Sequence, residues 1–254
     1  MKYAIIAAGE GSRLAQEGID SPKPLVKVGG EHLIDRLIRV FMQNGATEVV
    51  AICNEQMTEV RQHLEQIRQS GQCPLKFIVK STPSSMHSLW ELSRWLDDEP
   101  FVLTTVDTIF REGEFTDYVQ SFQTLVEQGE ADGLMGVTCY IDDEKPLYVG
   151  VGCWVMGDGG FPEITGYYDS LEDLTSNTHH PPPNTFISGG IYGLTTKSIA
   201  TLHRCIERGE SRMRNFQRAL VADGLCLRAY PFSKVLDIDH ASDIQKAEEF
   251  LSEK

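Results

Sequence analysis

The sequence predicts an α/β protein built on a mixed, mainly parallel central sheet, and three observations predict it. Short apolar runs alternate with helix-periodic segments through the first half of the chain. A glycine-rich turn comes directly after the first of those runs. The composition, 41% hydrophobic and 24% charged over 254 residues, is that of a chain able to bury a full core. Strands and helices alternating at this interval form βαβ units, whose crossovers lay successive strands side by side and parallel.

Tyr3 to Ala8 reads as a buried first strand. Leu33, Ile34, Leu37, Ile38, Phe41 and Met42 recur at helical spacing, and Asn44-Gly45 ends that helix. Residues 48–53 form a second strand, and 56–69 an amphipathic helix with Val60, Leu64 and Ile67 inward. Residues 76–80 make a third strand, 85–96 a helix, 101–106 a fourth strand and 114–128 another helix. The second half changes character. Strands are expected at 133–140, 147–156 and 186–194, separated by a Gly-rich loop (157–160) and a His-Pro-rich loop (179–183). Helices at 196–208 and 211–222, a strand at 226–236 and a helix at 241–251 complete the reading. With no repeat and no linker between them, both halves are expected to share one sheet. In open α/β sheets ligands sit beyond the carboxyl ends of the strands, where the glycine turn lies.

The formal charge of −14 argues against nucleic-acid and anionic-membrane partners, because phosphate backbones select basic faces. It favours a small-molecule substrate in a locally basic pocket. The six cysteines are scattered, with no C-x-x-C pair and no His at zinc-ligand spacing, which fits a reducing, cytoplasmic location. Met1-Lys2 leads straight into the first strand, so no signal peptide is expected. No apolar run approaches the roughly 18 residues needed to span a membrane. Nothing in the chain fixes an oligomeric state.

The chemistry concentrates first in Ala7-Ala8-Gly9-Glu10-Gly11-Ser12-Arg13-Leu14, with Pro22-Lys23-Pro24-Leu25 close behind. A strand that breaks into small residues exposes backbone N–H groups able to cradle phosphate oxygens. Arg13 and Lys23 add two cations suited to a triphosphate. Leu14 leaves G-x-G-x-x-G incomplete, and no Gly-Lys-Ser/Thr comes after it, so neither a dinucleotide fingerprint nor a P-loop is present. The two motifs resemble G-x-G-[ST]-R-[LM] and then P-K-[PA]-[LM], the signature of nucleotidyltransferases of the sugar-phosphate (NDP-sugar pyrophosphorylase) and cytidylyltransferase type. The resemblance implies a Rossmann-like, three-layer nucleotidyltransferase fold, nucleotide-diphospho-sugar transferase-like, as one domain over 1–254. About 1–130 would bind nucleotide and about 131–254 the acceptor. It implies nucleotide contacts from Ala7, Ala8, Gly9, Gly11 and Ser12, with Arg13 and Lys23 as catalytic cations.

Asp107 comes directly after the strand 101–106 and points into the same crevice. A hard divalent cation bridging triphosphate oxygens needs one or two such carboxylates. The family places a metal-binding Asp after this strand, which makes Asp107 a nucleotide-side ligand of Mg²⁺. Val235-Leu236-Asp237-Ile238-Asp239-His240-Ala241-Ser242-Asp243 resembles the family's closing motif, roughly [WV]-x-D-[IV]-[DG]-T-P-x-D. Its first Asp implies Asp237 as the other metal ligand, with Asp239 the alternative. Alternation along the strand turns both the same way. His240-Ala241 replaces the usual Thr-Pro.

Ser81-Thr82-Pro83-Ser84-Ser85-Met86-His87-Ser88-Leu89-Trp90 occupies the family's base-recognition region, with Ser84 and Ser85 as the candidate base contacts. They resemble cytidylyltransferases acting on phosphocholine or methylerythritol phosphate more than the Gly-Thr-Ala run of sugar nucleotidyltransferases. Short hydroxyls can read a pyrimidine edge, and they are also ordinary helix caps. Ser188-Gly189-Gly190-Ile191-Tyr192 resembles the N-x-G-[IV]-[YF] strand that lets an acceptor approach the backbone, assigning Gly189 and Gly190 to acceptor binding. The usual Glu-Lys-Pro before this strand is missing from its place, which reads Ile164-Thr165-Gly166-Tyr167-Tyr168-Asp169. Glu144-Lys145-Pro146 has the letters but comes earlier, so Lys234 is the expected cation for the acceptor phosphate. His179-His180 reads as a solvated loop.

These assignments imply transfer of a nucleoside monophosphate from an NTP to a phosphorylated small molecule, with release of pyrophosphate. A sugar 1-phosphate leads as acceptor, and an alcohol phosphate such as phosphocholine is second. Two other classes remain: a nucleotide-sugar-dependent glycosyltransferase using Asp237-x-Asp239, and a non-catalytic nucleotide-sensing domain.

Overall fold

The computed structural model describes residues 1–142, 144–152, 160–177 and 185–253. Strand β1 (Lys2–Ala7) leads into the short helix α1 (Ser12–Gln16) and a 3₁₀ turn over Lys23–Leu25. A hairpin of two-residue strands, β2 (Lys27–Val28) and β3 (Glu31–His32), opens α2 (Leu33–Gln43). Next come β4 (Glu48–Cys53), α3 (Thr58–Ser70), β5 (Leu75–Val79), α4 (Ser85–Leu92), β6 (Phe101–Thr105), β7 (Thr108–Ile109) and α5 (Glu112–Glu127). The second half runs β8 (Gly133–Thr138), β9 (Tyr148–Val151), β10 (Ile164–Tyr168), α6 (Leu171–Asn177), β11 (Phe186–Leu194), α7 (Lys197–Glu207) and α8 (Met213–Ala222). It closes with β12 (Leu227–Phe232), β13 (Leu236–Asp237) and α9 (Ala241–Ser252).

The main sheet is ordered β10-β9-β11-β6-β1-β4-β5, with β8 paired to β11 and β12 paired to β8. β1 is parallel to β4 and β6, β4 to β5, and β8 to β12. β11 runs antiparallel to β6, β8 and β9 and joins the strands of the two halves into one mixed, mainly parallel sheet. Its register against β8 shifts between Ser188 and Tyr192, where Gly190 takes φ +71°. That left-handed backbone is open to glycine and disfavours a side chain, so Gly190 makes the bulge possible.

Both faces of the sheet are covered, which explains the unbroken apolar runs of β1, β4 and β6. Tyr3, Ile5 and Ala7 join a core that includes Phe41 of α2, Phe115 and Tyr118 of α5 and Phe250 of α9. Ala4 and Ile6 point the other way, to Leu89 of α4, Leu202 of α7 and Phe216 of α8. Tyr3 and Phe41 stack with ring centroids 4.6 Å apart. Helices on both faces of one sheet make the three layers the sequence predicts.

The strand expected at 226–236 is two strands. β12 pairs with β8 along its length and on its other edge only bridges Glu163 at Arg228, with the Ala229 N–H on the Pro162 carbonyl at 2.9 Å, so Pro231, two residues on, is tolerated at that open edge without a missing ladder bond. After Phe232 the chain leaves the sheet, and Leu236-Asp237 pairs instead with Thr108-Ile109. Residues 164–168, where the sequence predicts no strand, form β10 against β9. Of the strand expected at 147–156, Tyr148–Val151 is observed, and 153–156 lie outside the described residues. So do 157–159 of the Gly-rich loop and the His-Pro loop with His179-His180. Among the described residues no helix is long and apolar enough to cross a membrane.

Candidate active site

Two cavities adjoin and share Arg13 and Asp239 in their walls, the first of them at the carboxyl ends of β1, β4 and β6. The first, about 540 Å³, is lined by Ala8, Gly9, Glu10, Gly11, Ser12, Arg13 and Lys23 of the N-terminal motifs. Asn54, Ser81, Thr82, Ser84, Ser85, Ser88, Thr105 and Asp107 close it on the other side. The second, about 350 Å³, is lined by Thr138, Tyr140, Asp142, Glu144, Lys145, Ser188, Gly189, Asp237, Ser242, Asp243 and Lys246 among others.

Local sequence explains how the first cavity is made. β1 ends at Ala7, and Gly11 caps α1 with a left-handed backbone at φ +61°. A Cβ on Gly11 would stand 3.1 Å from Lys23 Cβ, so the glycine lets the Pro22-Lys23-Pro24 segment pack directly on the loop. Pro24 sits inside the 3₁₀ turn that aims Lys23 inward. Asn54 succeeds β4 as Asp107 succeeds β6. Its Oδ1 accepts from Ser81 Oγ at 2.9 Å and from the Gln56 N–H at 3.0 Å, tying the β4 and β5 ends together. Ser84 caps α4, accepting from the His87 N–H at 3.4 Å.

The wall between the cavities is ionic. Lys23, only 8% exposed, donates to Asp239 Oδ1 at 2.7 Å and pairs with Asp107. Arg13 Nη1 donates to Asp239 Oδ2 at 3.0 Å. Burial works against the Lys23 charge, but Asp107 and Asp239 outweigh it and raise its pKa above the ordinary lysine value. Burial likewise opposes the Asp239 charge, yet the hydrogen bond from Lys23 and the charges of Lys23 and Arg13 lower its pKa. Asp107 keeps a buried Oδ1 with no hydrogen-bond partner. The β13–β7 pairing holds these carboxylates in register, with the Ile238 N–H on the Asp107 carbonyl at 3.2 Å. Nearby, His240 Nδ1 lies 2.6 Å from Glu17 Oε1, and the Ala241 N–H donates to Glu17 Oε2 at 2.6 Å. This staples α1 to the start of α9.

The structure brings Ala8, Gly9, Gly11, Ser12, Arg13, Lys23, Ser84, Ser85 and Asp107 to one cavity, and Asp237 and Gly189 to the other. Asp239 borders both. Three expected residues line neither cavity. Ala7 is 1% exposed and belongs to the core, because alternation along β1 turns it away from the cavity. Gly190 shapes the β11 bulge and lines neither cavity. Lys234 lines neither cavity: its ammonium lies over the rings of Tyr140 and Phe250, 4.3 and 5.2 Å from their centroids. The turn after β12 carries it there. Glu144-Lys145, too early in linear order to match the family's place, lines the second cavity, and Arg214 Nη2 holds the Lys145 carbonyl at 3.2 Å. Ser81, Thr82 and Ser88 of the expected base-recognition segment join the first cavity, and Asn54 and Lys246, which the sequence motifs do not include, also join the cavities. For Asn54 a signal exists: a polar residue directly after an apolar strand.

A family model described as nucleotidyl transferase matches residues 2–254. The chain is similar to UTP–glucose-1-phosphate uridylyltransferase AglF of Haloferax volcanii, 25% identical over 100% of this chain and 98% of that protein. Among solved structures it resembles the inositol-1-phosphate CTP transferase of T. maritima, with TM-score 0.73 and 19% identity over 99% of this chain and 94% of that one. It also resembles the CTP:phosphocholine cytidylyltransferase of Streptococcus pneumoniae, with TM-score 0.68 and 18% identity over 99% of each chain. At these identities the structural likeness is one of fold.

Proposed function

The chain belongs to the nucleotidyl transferase family, and on that premise we propose that it joins an NTP to a sugar 1-phosphate across the Arg13–Asp239 wall, releasing pyrophosphate. One observation carries this reading: two cavities meet at a single cluster of cations and carboxylates, so two anionic substrates can bind separately and react where the cavities touch. The glycine-loop cavity takes the NTP and the cavity lined by Lys145 and Asp237 takes the acceptor. The cytoplasm, which supplies the NTP, is the proposed setting.

The residues fit Mg²⁺. A hard cation takes oxygen ligands, and Asp107 offers a buried oxygen that no protein donor occupies. Asp239 is engaged through both oxygens, one on Lys23 and one on Arg13. Asp107 and Asp237 would therefore hold the ion, with Asp239 holding the cations. Bound there, Mg²⁺ would neutralise triphosphate charge. Lys23 and Arg13, now shared with carboxylates, turn to the triphosphate and stabilise charge on the departing pyrophosphate. Lys145 orients the acceptor phosphate, whose oxygen attacks the α-phosphorus in line. That phosphate is already ionised near neutral pH, so no general base is required and catalysis is positioning plus electrostatics.

Ser81, Thr82, Ser84, Ser85 and Ser88 give the base end of the cavity a hydroxyl-rich wall, which supports a pyrimidine nucleotide and keeps an alcohol phosphate as the second acceptor class. Pyrophosphate release across four NTPs, against sugar 1-phosphates and alcohol phosphates, tests the proposal. Release that needs both an NTP and one acceptor class is expected. Release indifferent to acceptor would refute it.

A further inference from the structure

Away from both cavities, the β3–α2 junction and α3 bring two histidines and a carboxylate together. His32 stands at the start of α2, Asp35 in its first turn, and His63 in the middle of α3. Asp35 Oδ2 lies 2.8 Å from His32 Nδ1, and Asp35 Oδ1 lies 2.6 Å from His63 Nε2. One carboxylate thus joins both imidazoles. The rings meet edge to face, with centroids 5.2 Å apart and planes at 81°. One ligand atom from each of the three residues lies within 4.8 Å of the other two. All three side chains are half-buried, sheltered yet reachable from solvent. A hydrogen-bonded chain would need each imidazole only to reach the carboxylate. Here a nitrogen of each imidazole also lies within 4.8 Å of the other.

We propose that His32, Asp35 and His63 form a binding site for a zinc-type transition-metal ion, which fastens the β3–α2 junction to α3. Two imidazole nitrogens and one carboxylate oxygen suit zinc, with water in the fourth position. Zinc–nitrogen bonds of about 2.0–2.1 Å place tetrahedral donor atoms roughly 3.3 Å apart. Each imidazole binds in its neutral form through the nitrogen that now faces Asp35, its proton residing on the other ring nitrogen. The site is independent of the nucleotidyl-transfer reading, since none of the three residues lines either cavity.

Zn²⁺ alone, titrated into the full chain by calorimetry, tests the proposal, with Co²⁺ absorption as a second readout. One zinc-binding site is expected, with a tetrahedral cobalt spectrum lacking the charge-transfer band of a thiolate. His63→Gln and the shape-conserving Asp35→Asn should each weaken zinc about tenfold or more and abolish that spectrum, with circular dichroism unchanged. Absence of zinc binding would overturn the site, as would wild-type affinity in both folded variants. A thiolate band, or a zinc site lost in Asp107→Asn but kept in His63→Gln, would place the metal elsewhere and overturn it equally.

Discussion

The two cavities share a wall but are assembled in opposite ways. The nucleotide-side cavity is built mostly from segments just past the carboxyl ends of parallel strands: residues 8–13 after β1, Asn54 after β4, 81–88 after β5 and Asp107 after β6. Each piece is a short local motif, and the parallel sheet aligns them. The acceptor-side cavity is composite. It gathers residues of 138–142, 144–145, 187–189 and 235–246 around antiparallel β11 and a strand pair two residues long. A parallel sheet gives a site whose parts can be read one at a time. An antiparallel seam gives one whose parts are meaningful only together.

The strongest way to break that contrast is to remove the carboxylates. Asp107→Asn and Asp237→Asn should each lower kcat by about 10²–10³-fold with the fold retained by circular dichroism. Asp239→Asn should cost less, because it frees Lys23 and Arg13 without removing a metal ligand. Steady-state kinetics over a range of Mg²⁺ concentrations checks the order. A larger loss in Asp239→Asn than in Asp237→Asn would move the ligand role to Asp239.

The next test is on the acceptor side. Lys145→Ala should lower kcat/KM for the phosphorylated acceptor about ten- to a hundredfold, the worth of one charged hydrogen bond of roughly 1.5–3 kcal/mol. The KM for the NTP should not move. Lys234→Ala should leave both constants nearly intact, because its ammonium rests on Tyr140 and Phe250. The reverse pattern would restore Lys234 to the site.

These two lysines show where the sequence is legible and where it is not. Contiguous signals such as Gly9-x-Gly11, Arg13, Lys23 and Asp107 survive the passage to three dimensions because a strand–loop–helix unit carries its geometry in a dozen residues. The apolar runs of β1, β4 and β6 are equally plain, since strands covered on both faces are apolar throughout. The expected place of Lys234 depends on β12 continuing to Asp237, and the chain turns after Phe232 instead. Linear order puts Lys145 too early, although the fold brings Glu144-Lys145 beside 187–189 of β11. The two-residue strands β2, β3, β7 and β13 have no period to read. β10, only five residues long, has Gly166 at its centre, which interrupts the run of strand-forming Ile, Thr and Tyr.

Smaller effects sharpen the comparison at its shared wall. Asp239 titrates below the ordinary carboxylate value in the folded chain, so its contribution to stability holds above about pH 4 and is lost as pH falls through its lowered pKa. Lys23 titrates above the ordinary lysine value, so its contribution holds below about pH 10 and is lost as pH rises through its raised pKa. Melting temperatures of Lys23→Met should therefore show a shallower acid limb than the parent chain, with little change in slope between about pH 5 and 9. The His240–Glu17 staple acts within that window. His240 is raised by its hydrogen bond to Glu17, so its support is complete below about pH 6.5 and fades as pH climbs through the raised value. His240→Ala should lower the melting temperature at about pH 6 and converge on the parent at high pH. The β11 bulge offers the last contrast: Gly190→Ala, forced into φ +71°, should cost about 1–2 kcal/mol, a few degrees in melting temperature.

In the proposed reaction an acceptor phosphate in one cavity attacks the α-phosphorus of an NTP in the other. Phosphorus NMR of the complete reaction mixture reads this directly. The expected products are free pyrophosphate and a new diphosphate whose two phosphorus atoms come one from the acceptor and one from the NTP. Orthophosphate with NDP, or transfer of a sugar with its phosphate left on the nucleotide, would contradict it.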